Sequence, residues 1–141
     1  MRKTTTELLK ELKNFDTFEE YQKANKESLF NKTLAEYLTE LLEERKLKKA
    51  DVIKKAELGD SYTYQLFIGR KVNPSRDKLI CISVAMGLSI DETNSVLKIA
   101  GFLPLYPRAK RDSIIIMNIN NGKSVVEINE VLYNEGEETL N

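Results

Sequence analysis

Between positions 44 and 78 stand ten Lys/Arg against five Asp/Glu, a local net of +5. The whole chain of 141 residues is neutral, with 22 basic and 22 acidic side chains. A cluster of that density can neutralise phosphates and release their counterions, or it can simply solvate exposed helix faces. Other chemistry is poorly served. The chain has no histidine, so it lacks the commonest general base and metal ligand. Its one cysteine, Cys81, can form no internal disulfide, zinc finger or Cys–His pair. Cys81 lies in the apolar run "LICISVAM" and is expected as a buried core thiol. Six scattered glycines form no phosphate-cradling loop. These absences predict a protein that is not an enzyme and needs no metal or cofactor, a carboxylate-only hydrolase being the formal exception. Two further charge blocks follow: residues 108–123 are net +3, and residues 124–141 are net −5 with no basic residue.

These cations need elements to position them. Apolar residues make up 41% of the chain, enough for a packed core. No apolar run approaches the roughly 18 residues of a membrane span, and the start "MRKT" leads into polar helix, so a cytoplasmic, non-membrane protein is expected. The pattern is helical nearly throughout, predicting an all-α fold. A helix over 6–13 carries Leu8, Leu9 and Leu12. A second opens near Asp16, with Glu19 completing a capping box and Phe15, Phe18 and Tyr21 on its inner face. "TLAEYLTELLEERKL" opens at Thr33 with Glu36, and Leu34, Tyr37, Leu38, Leu41 and Leu42 form its apolar stripe. Short helices over 49–56 and 60–68 follow, then one over 76–86 that starts after Ser75 and stops at Gly87. Ser89 with Glu92 opens the next, and "GFLPLYPRAK" is a proline-bounded loop.

The chain then repeats itself. Residues 76–105 and 111–140 align without a gap and share 11 identities. In each copy Arg-Asp opens a helix (Arg76-Asp77, Arg111-Asp112) that ends at Gly87 or Gly122. A serine–glutamate capping box follows, Ser89/Glu92 or Ser124/Glu127. Asn94–Leu97 and Asn129–Leu132 share Asn-x-Val-Leu, and Gly101 or Gly136 ends the second helix. Two hairpins of this kind are expected to stack as in short helical arrays. "SIIIMNI" is β-branched and readable as a strand, but its match to "KLICISV" argues for helix. Its surplus apolar area makes the second hairpin a candidate dimerisation element.

Two short helices joined by a tight turn, packed through Val52, Ile53, Ala56 and Leu66, are what a DNA-reading helix-turn-helix requires. Residues about 33–101 resemble the five-helix domain of Cro/C1-type (Xre-family) regulators. The likeness lies in "LKKADVIKKAELG", "SYTYQLFIGRKVNPSRDKL" and "MGLSIDETNSVLKIAG". The resemblance implies a helix-turn-helix domain at 32–103, preceded by a helical arm at 1–31 and followed by the hairpin at 104–141. It implies a sequence-specific transcriptional regulator that binds double-stranded DNA, acting as a homodimer. It puts Asp60, Ser61, Tyr64 and Gln65 at base edges, and Lys48, Lys49, Tyr62, Arg70 and Lys71 at phosphates. Two residues depart from the family pattern: Glu57 stands where the turn usually has glycine, and Asp60 is a carboxylate at a base-facing position. Those two, with zero net charge, fit an alternative: an antitoxin-like or adaptor protein that keeps the fold, binds a protein partner and lacks strong DNA affinity.

Overall fold

Helix starts fall where hydroxyl caps stand. Thr4, Thr33, Ser75, Ser89 and Ser124 each accept the backbone N–H three residues on, and three of these complete capping boxes, with Glu36, Glu92 and Glu127. The computed structural model describes residues 3–24 and 32–141. The reading of Met1-Arg2 and any continuation of the second helix beyond residue 24 lie outside them. All regular structure in the described residues is α-helical: α1 (Thr5–Leu12), α2 (Phe18–Ala24), α3 (Leu34–Glu44), α4 (Lys49–Ala56), α5 (Asp60–Phe67), α6 (Arg76–Ala85), α7 (Ile90–Ile99), α8 (Lys110–Asn120) and α9 (Val125–Asn134). "SIIIMNI" is helix, not strand.

Two units divide the chain, Met1–Asn31 and Lys32–Asn141. In the first, Tyr21 is buried and meets Phe15 edge-on at 5.6 Å between ring centroids. The Asp16 cap does not form. Thr17 takes that role one residue later, its hydroxyl accepting from the Glu20 N–H at 3.3 Å. Both residues are of types that suit the position.

In the second unit α6 is the axis. Leu79, Ile80, Cys81, Ile82 and Ser83 are all buried, which an α-helix achieves only when neighbours cover it on every side. Those neighbours are α4, α7 and α9, while α3 packs on α5 and α7. Burial, reinforced by the Asp77 charge, pushes the Cys81 thiol up to about 12, leaving it inert.

The second hairpin packs into this same unit. Ile114, Ile115, Ile128 and Leu132 are buried in its core. Much of the apolar area in "SIIIMNI" is thus used within the chain, while Met117 stays 57% exposed. The hairpins do not stack by translation. Arg76 holds Asp112 through two hydrogen bonds, of 3.0 and 2.9 Å, and Arg111 holds Asp77 through two, of 2.9 and 3.0 Å. In the same reciprocal sense α6 packs on α9 and α8 on α7. A translational array would pair each copy with the next in one direction only. Here residue i of one copy meets j of the other and j meets i, the mark of a two-fold contact.

The pseudo-symmetry extends to the loops. Arg76 also donates to the Leu103 and Pro104 carbonyls, and Arg111 to those of Glu138 and Thr139, each 35 residues on. Asn94 Oδ1 accepts the Leu105 N–H, and Asn129 Oδ1 accepts that of Leu140. Ile80 and Ile115, Leu97 and Leu132, and Leu105 and Leu140 are buried pairs. Gly87 and Gly122 share a left-handed backbone, φ 69° and 70°, where a side chain would be strained. The shared residues are thus those that hold the hairpin pair together.

Candidate nucleic-acid interface

The turn between α4 and α5 is built without the usual glycine. Glu57 itself takes the left-handed conformation, φ 58° and ψ 34°, and Gly59 follows at φ 89°. A non-glycine there costs about 1 kcal/mol. The cost is borne because Val52, Ala56, Thr63, Leu66 and Phe67 are buried across the two helices, fixing how they cross.

That packing decides what α5 leaves outside. Asp60 and Ser61, in its first turn, are exposed, and so is Tyr64 on the next. Gln65 is half-buried, and its amide donates to the Ser61 hydroxyl at 3.2 Å. Four of the expected base-facing residues therefore share one face, and one hydrogen bond already ties two of them. Tyr62 is half-buried, and its phenol is raised above its ordinary value by burial. Asp60 has no ion-pair partner among the described residues.

Cations reach this face from two sides. Lys49 Nζ sits 5.7 Å from the centre of the Tyr64 ring, and Lys78 Nζ 4.4 Å from that of Tyr62. Lys48 is the exposed residue before α4, and Arg70 and Lys71 are exposed just past α5. The backbone N–H groups of Arg70 and Lys71 both donate to the Gln65 carbonyl, which curls them back over the end of α5. Lys78, in the first turn of α6, was not expected from the sequence. Only the tertiary fold brings it over Tyr62, and no local motif announces that.

Two other cations of the basic segment are spent internally: Arg45 on Glu92, and Arg76 on Asp112. The available charge is thus smaller than the composition suggests. The leading ends of α4, α5 and α8 lack a side-chain cap, unlike those of α1, α3, α6, α7 and α9. At α4 the Asp51 N–H already donates to the Lys48 carbonyl at 3.1 Å, whereas the α5 first turn keeps its N–H groups for an anionic oxygen.

No group of three or more metal-ligating side chains occurs among the described residues, and none of their helices is long and apolar enough to cross a membrane. No protein-family model, curated protein or solved structure matches the chain.

Proposed function

We propose that this chain is a sequence-specific, double-stranded-DNA-binding transcriptional regulator of the Cro/C1 helix-turn-helix kind, with α5 as the element that enters the major groove. The observation that carries this reading is the exposed, uncapped leading end of α5, with hydrogen-bonding side chains on its open face and cations on both flanks. Asp60, Ser61, Tyr64 and Gln65 meet base edges in this reading. A Gln amide suits adenine, and a carboxylate suits an amino donor, above all that of cytosine, so Asp60 acts as a filter against edges that present acceptors only. Lys48, Lys49, Lys78, Arg70 and Lys71 take the phosphates, and Tyr62 contributes its hydroxyl from beneath Lys78. Five cations per head make a modest electrostatic contribution at physiological salt, so a homodimer on a two-fold site is the arrangement proposed.

The rival reading is an adaptor that keeps the fold and binds a protein. Its support is the unpaired Asp60 carboxylate at the tip of α5, which repels phosphates wherever no cytosine meets it. Selection of bound duplexes from a random pool separates the two. An enriched palindrome, with affinity falling steeply as salt rises, supports the regulator. No enrichment and no salt-dependent duplex binding supports the adaptor.

A further inference from the structure

The two hairpin copies act as an internal control on each other. At core positions such as Ile80/Ile115, Leu97/Leu132 and Leu105/Leu140 both copies carry the same residue. Where only one copy carries a large apolar side chain on the surface, the fold did not require it. Two such positions lie on α9. Val126 is 50% exposed and Tyr133 76% exposed, yet their counterparts on α7 are Asp91 and Lys98. Asp91 and Lys98 are the residues a solvated helix face carries, and α7 folds with them.

Val126, Asn129, Glu130, Tyr133 and Asn134 follow one another at helical spacing and form a single stripe. This stripe makes one wall of an open groove of about 600 Å³. Glu57, in the α4–α5 turn, and the segment through Thr139 and Asn141 make the other. The Asn141 side chain donates to the Glu57 carbonyl and ties that segment to the turn. Glu57 and Glu130 are the charged groups in the lining; no lysine or arginine is there. Neither carboxylate has an ion-pair partner among the described residues. The surrounding residues 124–141 carry five glutamates and no cation.

We infer that the groove between α9 and the α4–α5 turn is a docking site for a basic segment of another protein, anchored by an aromatic or aliphatic side chain between Val126 and Tyr133. Exposed apolar side chains rimmed by polar ones mark contact surfaces, and a tyrosine that loses little entropy on burial is a favoured anchor. The unpaired carboxylates select a positively charged partner and disfavour a second copy, which would bring one acidic face against another. The inference stands apart from DNA binding, since the groove shares none of the residues proposed for base or phosphate contact.

The test is panning of a displayed random-peptide library against the full chain, followed by anisotropy titration of the enriched peptides. The expected result is peptides that combine Lys or Arg with an aromatic or aliphatic residue. Val126→Asp and Tyr133→Lys, which install the residues of the other copy, are each expected to weaken them about tenfold. Glu130→Lys, on an exposed position that cannot endanger folding, is expected to weaken them by a similar factor. Enrichment of acidic peptides, no enrichment at all, or binding unchanged in these variants overturns the inference. So does a concentration-dependent dimer in sedimentation that Tyr133→Lys dissolves, because the face would then belong to a second copy.

Discussion

Arg76 and Asp112 meet through two near-parallel hydrogen bonds, 36 residues apart in sequence, and the Asp112 carboxylate also accepts the Tyr106 N–H at 2.9 Å. Arg111 and Asp77 repeat the arrangement from the other copy. Each copy thus supplies one Arg and one Asp to the other, and the two clasps fasten the start of α6 to the start of α8. Charge-assisted bidentate pairs of this kind are directional, so they set register as well as adding energy.

Removing one member of a clasp strands its partner in a part-buried site. Arg76→Ala is expected to destabilise the protein by about 2 kcal/mol, below the range for a fully buried pair because the arginine is about a quarter exposed. Arg111→Ala should cost less, since Asp77 is more open to water than Asp112. Urea unfolding of Arg76→Ala, Arg111→Ala, Asp112→Ala and the Arg76→Ala/Asp112→Ala double variant measures both the costs and the coupling of the Arg76–Asp112 pair.

Acid should loosen the same clasp. Burial alone would raise the Asp112 carboxyl, but hydrogen bonds from Arg76 and the Tyr106 N–H, with the charges of Arg76 and Arg111, outweigh it and hold the group below its ordinary value. Glu92 is lowered as well, chiefly by its hydrogen bond from Arg45. A carboxylate depressed in the folded state contributes stability above its unfolded value, about 4, and loses it as pH falls through the lower folded value. Urea midpoints should therefore drop below about pH 4, and Asp112→Asn should flatten that drop. Parallel pH profiles for the two proteins would contradict this.

Glu57 holds a left-handed conformation that glycine adopts without strain. Glu57→Gly should raise stability by about 0.5–1 kcal/mol, the relief of strain exceeding the entropy glycine adds to the unfolded chain. Thermal unfolding decides it; a lower Tm would mean that the Glu57 side chain stabilises the turn in a way its backbone does not reveal.

Thr93 is fully buried and its hydroxyl has no hydrogen-bond partner. Replacing it with the isosteric valine removes an unsatisfied polar group from the core, so Thr93→Val should stabilise by about 1 kcal/mol in chemical denaturation. A loss of stability would place a water or a rotated hydroxyl at that site.

On DNA, the variants should separate reading from gripping. Gln65→Ala is expected to relax preference at one base position by about 1–3 kcal/mol, with other positions unchanged. Lys78→Ala should weaken all duplexes alike and lower the slope of log affinity against log salt by about one. A Lys78→Ala slope equal to that of the unaltered protein would remove this residue from the phosphate set.

Local order was legible in the residues themselves. A serine or threonine three places before glutamate states a helix start because the capping bonds are made within one turn, and Thr33, Ser89 and Ser124 behave accordingly. Glycine after an apolar stripe states a helix end for an equally local reason. The repeat was visible too, since both copies need the same caps and the same buried Ile and Leu. What no short-range rule contains is which partner each side chain meets. Arg76-Asp77 and Arg111-Asp112 read as start signals, and only the two-fold packing of the hairpins turns them into crossed ion pairs. Ile114 and Ile115 of α8 lie in the core while Met117 stays exposed, a division that apolar composition alone does not decide. Lys78 reaches Tyr62, and Val126 and Tyr133 face the α4–α5 turn, because helices distant in sequence pack side by side. Periodicity and capping act over about one helical turn, whereas burial and ion pairing are settled by whatever the closed chain brings within a few ångströms.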